Sequence, residues 1–201
     1  DIVLVFLVFV IPFAAAHILK PHIFNGWRHF YFLYPSIIYI ALYGFKCMFS
    51  AISKKKIQFC ILLILFINIS NLFLWSIKNH PHQYVYLNHL SKKYAYNYEL
   101  DYWGLSNTDA IRNIIENKNE GRVNIAGIGT TRINFSYFML TAEEQKHVRI
   151  VKLDSHEKIN YYITNFQDGN FLEYYLKNNY EVVSYILVDD LIINATIKKI
   201  Y

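Results

Sequence analysis

The sequence predicts a membrane-anchored α/β protein: three transmembrane helices in residues 1–77, followed by a small extracytoplasmic α/β domain in residues 78–201. Three observations predict it. The first 77 residues are almost wholly apolar and contain long runs at about 2–19, 30–51 and 57–77. The most compact basic run, Lys54-Lys55-Lys56, lies in the connection between the second and third of these runs. From Lys78 onward the chain has ordinary polarity, and helix-period and strand-period patterns alternate. Over 201 residues, apolar types make up 54% and charged types 17%, an average that conceals the division.

At about 1.5 Å of rise per residue, the first run just spans a hydrocarbon core of about 30 Å. It carries no charge between Ile2 and Leu19, and Pro12 is a kink candidate. No basic segment precedes it and no cleavage site leads from it into a soluble domain. It therefore reads as a transmembrane helix continued from a longer chain rather than as a signal peptide. The second run has Lys46 near its far end, where a long side chain reaches the interface. The third, Ile57 to Ile77, is uncharged. Core helices of soluble proteins show one apolar stripe, whereas these runs have almost no polar face.

The positive-inside rule places Lys54-Lys55-Lys56 in the cytoplasm. The loop from Lys20 to His29 and the chain after Lys78 then lie outside. Trp27, Phe30, Tyr31 and Trp75 mark that boundary as an interfacial aromatic belt. The net charge of +5 does not indicate nucleic acid, because the basic residues form no surface stripe interleaved with aromatic contacts. Cys47 and Cys60 are the only cysteines, both in apolar runs. They read as small buried hydrophobes, with no disulfide framework or CxxC motif for the domain that follows.

In the extracytoplasmic domain, Ser106-Asn107-Thr108-Asp109 resembles a capping box, and Ala110, Ile111, Ile114 and Ile115 recur at helical spacing. A helix to about Asn117 is expected, with Gly121 beyond it as a stop. Arg122 to Ile128 reads as a strand ending at Gly127-Ile128-Gly129, and Asn134 to Lys146 as one helix. Strands are expected at Val148–Leu153 and Ile159–Thr164, and a short helix at Phe171–Asn178. Val182–Val188 and Leu191–Lys198 form a hairpin turning at Asp189-Asp190. This alternation suggests a partly parallel sheet with an antiparallel edge hairpin.

Several short stretches have residue types suited to chemistry. In Asn25-Gly26-Trp27-Arg28-His29, the Arg28 guanidinium is a permanent fork of donors suited to phosphate, and His29 adds a titratable donor. The plainer reading is an interfacial anchor. His80-Pro81-His82, with His89 nearby, has the look of a metal pair, but zinc needs three or four convergent ligands, so no metal site is assigned. Asn79–Asn88 and Glu99–Leu105 are dense in aromatics and polar groups, which suits sugars, headgroups or a bilayer surface. Glu99 and Asp101, two apart, share a face if that stretch is a strand. Gly127-Ile128-Gly129-Thr130-Thr131-Arg132 lacks the third glycine and the downstream acid of a dinucleotide loop and reads as a strand-to-helix turn. Asn134-Phe135-Ser136 and Asn194-Ala195-Thr196 match the glycosylation pattern, which is common by chance.

Taken together, these stretches resemble a known family. NGWRHFYFLYP at 25–35 looks like the outer-loop and helix-start motif of multi-spanning bacterial membrane glycosyltransferases. These are the polyprenyl-phosphate-sugar-dependent enzymes akin to protein mannosyltransferases and the aminoarabinose transferase. HPHQYVYLN at 80–88 resembles their last-helix exit, often hPxxYvYfN, and LDYWGLS at 100–106 the DYWG-S element after it. YYITNF at 161–166 and the final hairpin also fit the family's C-terminal end. The match touches most of the chain in the family's order. It departs after the exit motif, where Ser91-Lys92-Lys93 stands in place of a frequent glycine pair.

The resemblance implies transfer of a sugar from a lipid-phosphate carrier to an acceptor at the outer face of the cytoplasmic membrane. Its implied partners are membrane lipid, the lipid-linked donor and the remainder of the same polypeptide upstream. It places the catalytic carboxylate in a first outer loop upstream of this sequence, so no catalytic residue is assigned. Arg28 and His29 carry over as contacts to the carrier phosphate, with Trp27 supporting them. Asp101, Tyr102 and Trp103 match the second motif, as docking or substrate contacts. No cofactor is evident, and divalent-metal dependence is left open. The alternative is a non-enzymatic membrane-anchored module whose outer domain binds a partner or a glycan. A transporter ranks last, because the third run offers only Asn68, Ser70 and Asn71 as polar groups at membrane depth.

Overall fold

The structure is a computed structural model that describes residues 2–21, 27–118, 121–167 and 176–200, except for the side chains of Trp27 and Arg28. The chain divides into two compact units, Asp1–Asn71 and Leu72–Tyr201.

The first unit holds α1 (Ile2–Leu19), a 3-10 segment (Trp27–Leu33), α2 (Tyr34–Ala51) and most of α3 (Lys55–Lys78). Three helical stretches, Ile2–Leu19, His29–Ala51 and Lys55–Lys78, are long and apolar enough to cross a membrane. They leave large apolar side chains exposed around their circumference, among them Phe6, Ile38 and Phe66. Water penalises such a surface and lipid does not.

The helix expected from Phe30 begins instead as a 3-10 segment, and α geometry starts at Tyr34. Pro35 explains the difference. It has no N–H to give the carbonyl of Tyr31, and its ring crowds that carbonyl, so the α ladder starts at the proline. Lys55 and Lys56 enter the first turn of α3, leaving 52–54 as the connection. There the Gln58 amide donates to the carbonyls of Phe49 at 3.1 Å and Ile52 at 2.8 Å, satisfying part of the α2 end. In α3, Asn68 donates to the Ile64 carbonyl of its own helix at 2.8 Å.

The second unit is a small mixed sheet with helices. Its elements are α4 (His89–Lys92), α5 (Ser106–Asn117), β1 (Val123–Gly127), α6 (Ile133–Phe138), α7 (Ala142–Lys146), β2 (Val148–Ile150), β3 (Tyr161–Thr164), β4 (Tyr180–Val188) and β5 (Leu191–Lys199). The strand order is β2-β1-β3-β5-β4. β1 pairs in parallel with β2 and β3, while β5 pairs antiparallel with β3 and β4. This is the partly parallel sheet with an antiparallel edge hairpin that the alternation suggested. Asp189 and Asp190 both have left-handed φ, 51° and 65°, the geometry a two-residue hairpin turn requires.

One core joins the apolar stripe of α5 (Ala110, Ile111, Ile114) to Ile125, Ile163, Val148, Ile133 and Leu140. A second lies around Ala126, Tyr162, Ala195 and Ile197. A third lies at the end of α3. Val85, Val188 and Ile193 pack with Trp75, Leu100 and Ile186. The last turns of α3 therefore belong to the C-terminal unit, which begins at Leu72. The partly buried Trp75 also meets Tyr86 edge-on at 4.8 Å.

The single helix expected over Asn134–Lys146 is two. Thr141 caps the second, accepting from the Glu144 N–H at 3.2 Å while the Glu144 carboxylate accepts from the Thr141 N–H at 2.7 Å. That backbone bond, and after it Arg112 at 2.9 Å, hold the Glu144 carboxyl below its ordinary range. Thr141→Ala is expected to lower stability by about 1 kcal/mol at neutral pH, measured by denaturant titration. Because the Glu144 pKa is lowered on folding, its share of the box is present above the ordinary glutamate range and lost as pH falls through the lowered value. The penalty of Glu144→Gln, which removes that charge, is therefore expected to shrink in acid. The helix expected at Phe171–Asn178 falls largely outside the described residues.

Candidate functional site

β5 runs antiparallel to β3, with Ala195 beside Thr164 at the end of β3. The β4–β5 turn therefore lies at the C-terminal end of the parallel strands. Trp75, Leu100 and Val85 pack at that same end through Val188 and Ile193. In open α/β sheets this is the end where ligands bind. Here it is filled by residues 80–107.

Asp101 is the centre. Its side chain is fully buried. Oδ1 accepts from the Tyr84 hydroxyl and from the Leu105 N–H at 3.1 Å. Oδ2 accepts from the Ser106 hydroxyl and from the Ser106 N–H at 3.1 Å. The backbone donors are the unsatisfied first N–H groups of α5, and their dipole favours a carboxylate there. Ser106, expected to cap the helix, is its first residue, and Asp101 supplies the acceptor from outside. Burial, and after it the Asp101 charge, push the Tyr84 phenol well above its ordinary value, so Tyr84 stays a donor.

Asp109, expected to complete the box, instead accepts from Nε2 of the buried His82 at 2.8 Å. His80 accepts from the Gln83 amide at 2.7 Å. The two histidines thus serve the junction, and among the described residues no group of three or more His, Cys, Asp or Glu is placed to hold a metal ion.

Around this centre lies a web of buried amides that the sequence reading missed. Asn165 donates to the Asp101 carbonyl at 2.7 Å and to Thr131 Oγ1 at 3.0 Å, and accepts from the Thr131 N–H at 3.2 Å. Asn107 exchanges bonds with Thr130, at 3.0 and 3.2 Å. Asn194 donates to Asn107 at 2.7 Å and to Ser106 Oγ at 2.9 Å. One signal was available: an asparagine inside the apolar strand run Ile192-Ile193-Asn194-Ala195 demands a buried partner. Its burial also disposes of Asn194 as a glycosylation acceptor. The stretch Gly127–Arg132 is a strand-to-helix turn, as read. A Cβ on Gly127 would lie 2.5 Å from Thr130 Cγ2, so the glycine serves that tight approach.

Glu99 and Asp101 do not share a strand face, since residues 100–103 form a turn. Each Asp101 oxygen already accepts two bonds, which makes this carboxylate a positioning group. What it positions is the next two residues. Tyr102 and Trp103 meet edge-on at 5.1 Å, and Trp103 is 61% exposed. The loop continues to Gly104, whose carbonyl accepts from Ser136 of α6 at 3.2 Å. Phe135, beside Ser136, is exposed as well. The result is a rigid loop presenting a tryptophan.

Trp27, Arg28 and His29 belong to the first unit. His29 is exposed on the 3-10 segment, and the side chains of Trp27 and Arg28 lie outside the described residues. No protein-family model matches the chain, and no curated protein or solved structure is significantly similar to it.

Proposed function

We propose that the chain is the C-terminal region of an integral-membrane glycosyltransferase, which moves a sugar from a lipid-phosphate carrier to an acceptor at the outer face of the cytoplasmic membrane. One observation supports this reading above the rest. Two of the stretches that resemble the transferases, 80–88 and 100–106, bond to each other through Tyr84 and Asp101. The bond from His82 to Asp109 runs beside it at 2.8 Å. Motifs that occur in order along the chain are thus parts of one built unit. In this reading Arg28 grips the carrier phosphate with paired N–H donors, His29 adds a donor, and Trp27 supports them. Asp101 holds Tyr102 and Trp103 against donor or acceptor. The reacting carboxylate comes from the upstream polypeptide, and the C-terminal domain lies on the extracytoplasmic side.

The test is sugar transfer by the full-length polypeptide in proteoliposomes carrying a polyprenyl-phosphate sugar. Arg28→Ala is expected to lower kcat/KM by about 100-fold, the equivalent of one charge-assisted bidentate contact. Arg28→Lys is expected to recover part of that loss. Unchanged transfer by Arg28→Ala removes the phosphate role, and no transfer by the full-length protein sinks the enzyme reading. The exposed Trp103 on its rigid loop also suits the second reading, a membrane-anchored module that binds a partner or a glycan. Glycan binding without transfer, lost in Trp103→Ala, selects it.

A further inference from the structure

The segment between α3 and the sheet has an unusual composition. From Lys78 to Tyr98 there is no Asp or Glu, and there are three lysines, three histidines and five tyrosines. Folding does not hide it. Tyr86, Tyr94, Tyr96 and Tyr98 are exposed, and Leu90, on the one-turn α4, is 77% exposed. A run of bare aromatic and aliphatic side chains is costly against water. Tyrosine suits a bilayer interface, where its ring is buried and its hydroxyl stays wet.

Contacts within the C-terminal unit place this segment at the end of α3. Trp75 in the last turns of α3 packs on Tyr86. The Tyr96 hydroxyl accepts from the Ile192 N–H at 3.3 Å, and Lys92 pairs with Asp189 at 3.1 Å, which ties the segment to the β4–β5 turn. That turn packs through Val188 and Ile193 on Trp75. Asp189 and Asp190 take up Lys92. Lys78 and Lys93 remain exposed, with the Lys93 ammonium 4.7 Å from the centre of the Tyr94 ring.

We propose that this segment is a membrane-surface clamp that recognises anionic phospholipid: Leu90 and Tyr94 enter the headgroup layer where α3 leaves the bilayer, and Lys78 and Lys93 gather anionic headgroups around them. The charge is complementary, since the segment is cationic with no acid of its own. The position is fixed, since the last turns of α3 are part of the domain core. The proposal rests on α3 crossing the bilayer and is independent of the transferase reading. Its consequence is that the domain is held at one height and tilt, with the Trp103 loop at the same end of the sheet as the lipid surface.

The test uses the whole chain in phosphatidylcholine nanodiscs containing phosphatidylglycerol, with Cys47→Ser and Cys60→Ser. A dye is attached at Leu90→Cys, or at Lys146→Cys as control. Lys146 ends α7 just before β2, at the opposite end of the parallel strands. Traces of headgroup spin-labelled phosphatidylglycerol or phosphatidylcholine then quench the dye. The dye at position 90 is expected to be quenched by both labels, several-fold more by the anionic one, with little quenching at 146. Lys78→Gln and Lys93→Gln are each expected to reduce that anionic preference, and together to bring the two labels close to equal quenching. Quenching at 90 no greater than at 146 overturns the proposal, and so does equal quenching by the two labels. Should Leu90→Cys not fold, Tyr94→Cys carries the dye under the same criteria.

Discussion

Replacing Asp101 with alanine is expected to destabilise the C-terminal domain by roughly 3–5 kcal/mol, the range for removing one partner from a buried, charge-assisted cluster. The cost arises because four donors lose their acceptor together: the Tyr84 and Ser106 hydroxyls and the N–H groups of Leu105 and Ser106. Water cannot replace the carboxylate easily, since Asp101 and Ser106 are fully buried. Denaturant unfolding of the chain in micelles, followed by tryptophan fluorescence, measures it. Tyr84→Phe removes a single donor and is expected to cost about 1 kcal/mol. A destabilisation by Asp101→Ala below that of Tyr84→Phe would free Asp101 for acid–base chemistry and reverse its assignment as a positioning group.

Gly104→Ala is the second large effect, expected at about 2–4 kcal/mol from backbone strain and close contacts together. Gly104 has φ +67°, and an added Cβ would lie 2.8 Å from Thr131 Cβ and 2.9 Å from Asn107 Nδ2. The backbone conformation alone disfavours a side chain. The two close atoms belong to the web that fixes the loop, so neither moves without breaking bonds to Tyr102, Thr130 or Asn194. Gly44 provides the contrast. It lies in α2, where an added Cβ would meet nothing within 4 Å, and Gly44→Ala is expected to be neutral or slightly stabilising. Comparable unfolding midpoints for the two alanine variants would show that the loop at Gly104 is not held tightly.

Both effects concern residues whose importance was only half visible. The DYWG stretch stood out by its residue types, but its spacing also allowed Glu99 and Asp101 to share one strand face. Only the turn at 100–103, and the four donors around Asp101, decide for positioning. The three apolar helices were legible because length and composition are properties of a contiguous run. The final hairpin was legible because paired aspartates between strand-forming residues tolerate the left-handed turn. α5 was legible from its apolar period, although its cap was misassigned. Its Ser-x-x-Asp pattern was genuine, but Asp101 and His82 offered each side chain a better partner. The break between α6 and α7 was written in the sequence as Thr141-Ala-Glu-Glu144, inside a stretch whose other residues also allow a continuous helix.

By itself, then, the sequence determined the apolar helices, the alternation that builds the mixed sheet and the turn of its hairpin, because each depends on neighbours within a few residues. Tertiary structure alone decided where α3 ends as a structural unit, what Asp101 does, and that Asn107, Asn165 and Asn194 matter. Their partners lie far along the chain, up to 88 residues apart for Asn194 and Ser106. Periodicity reports which side chains leave water, but not which polar groups meet once they have left it. Burial makes those meetings obligatory, and only the assembled fold determines the pairs.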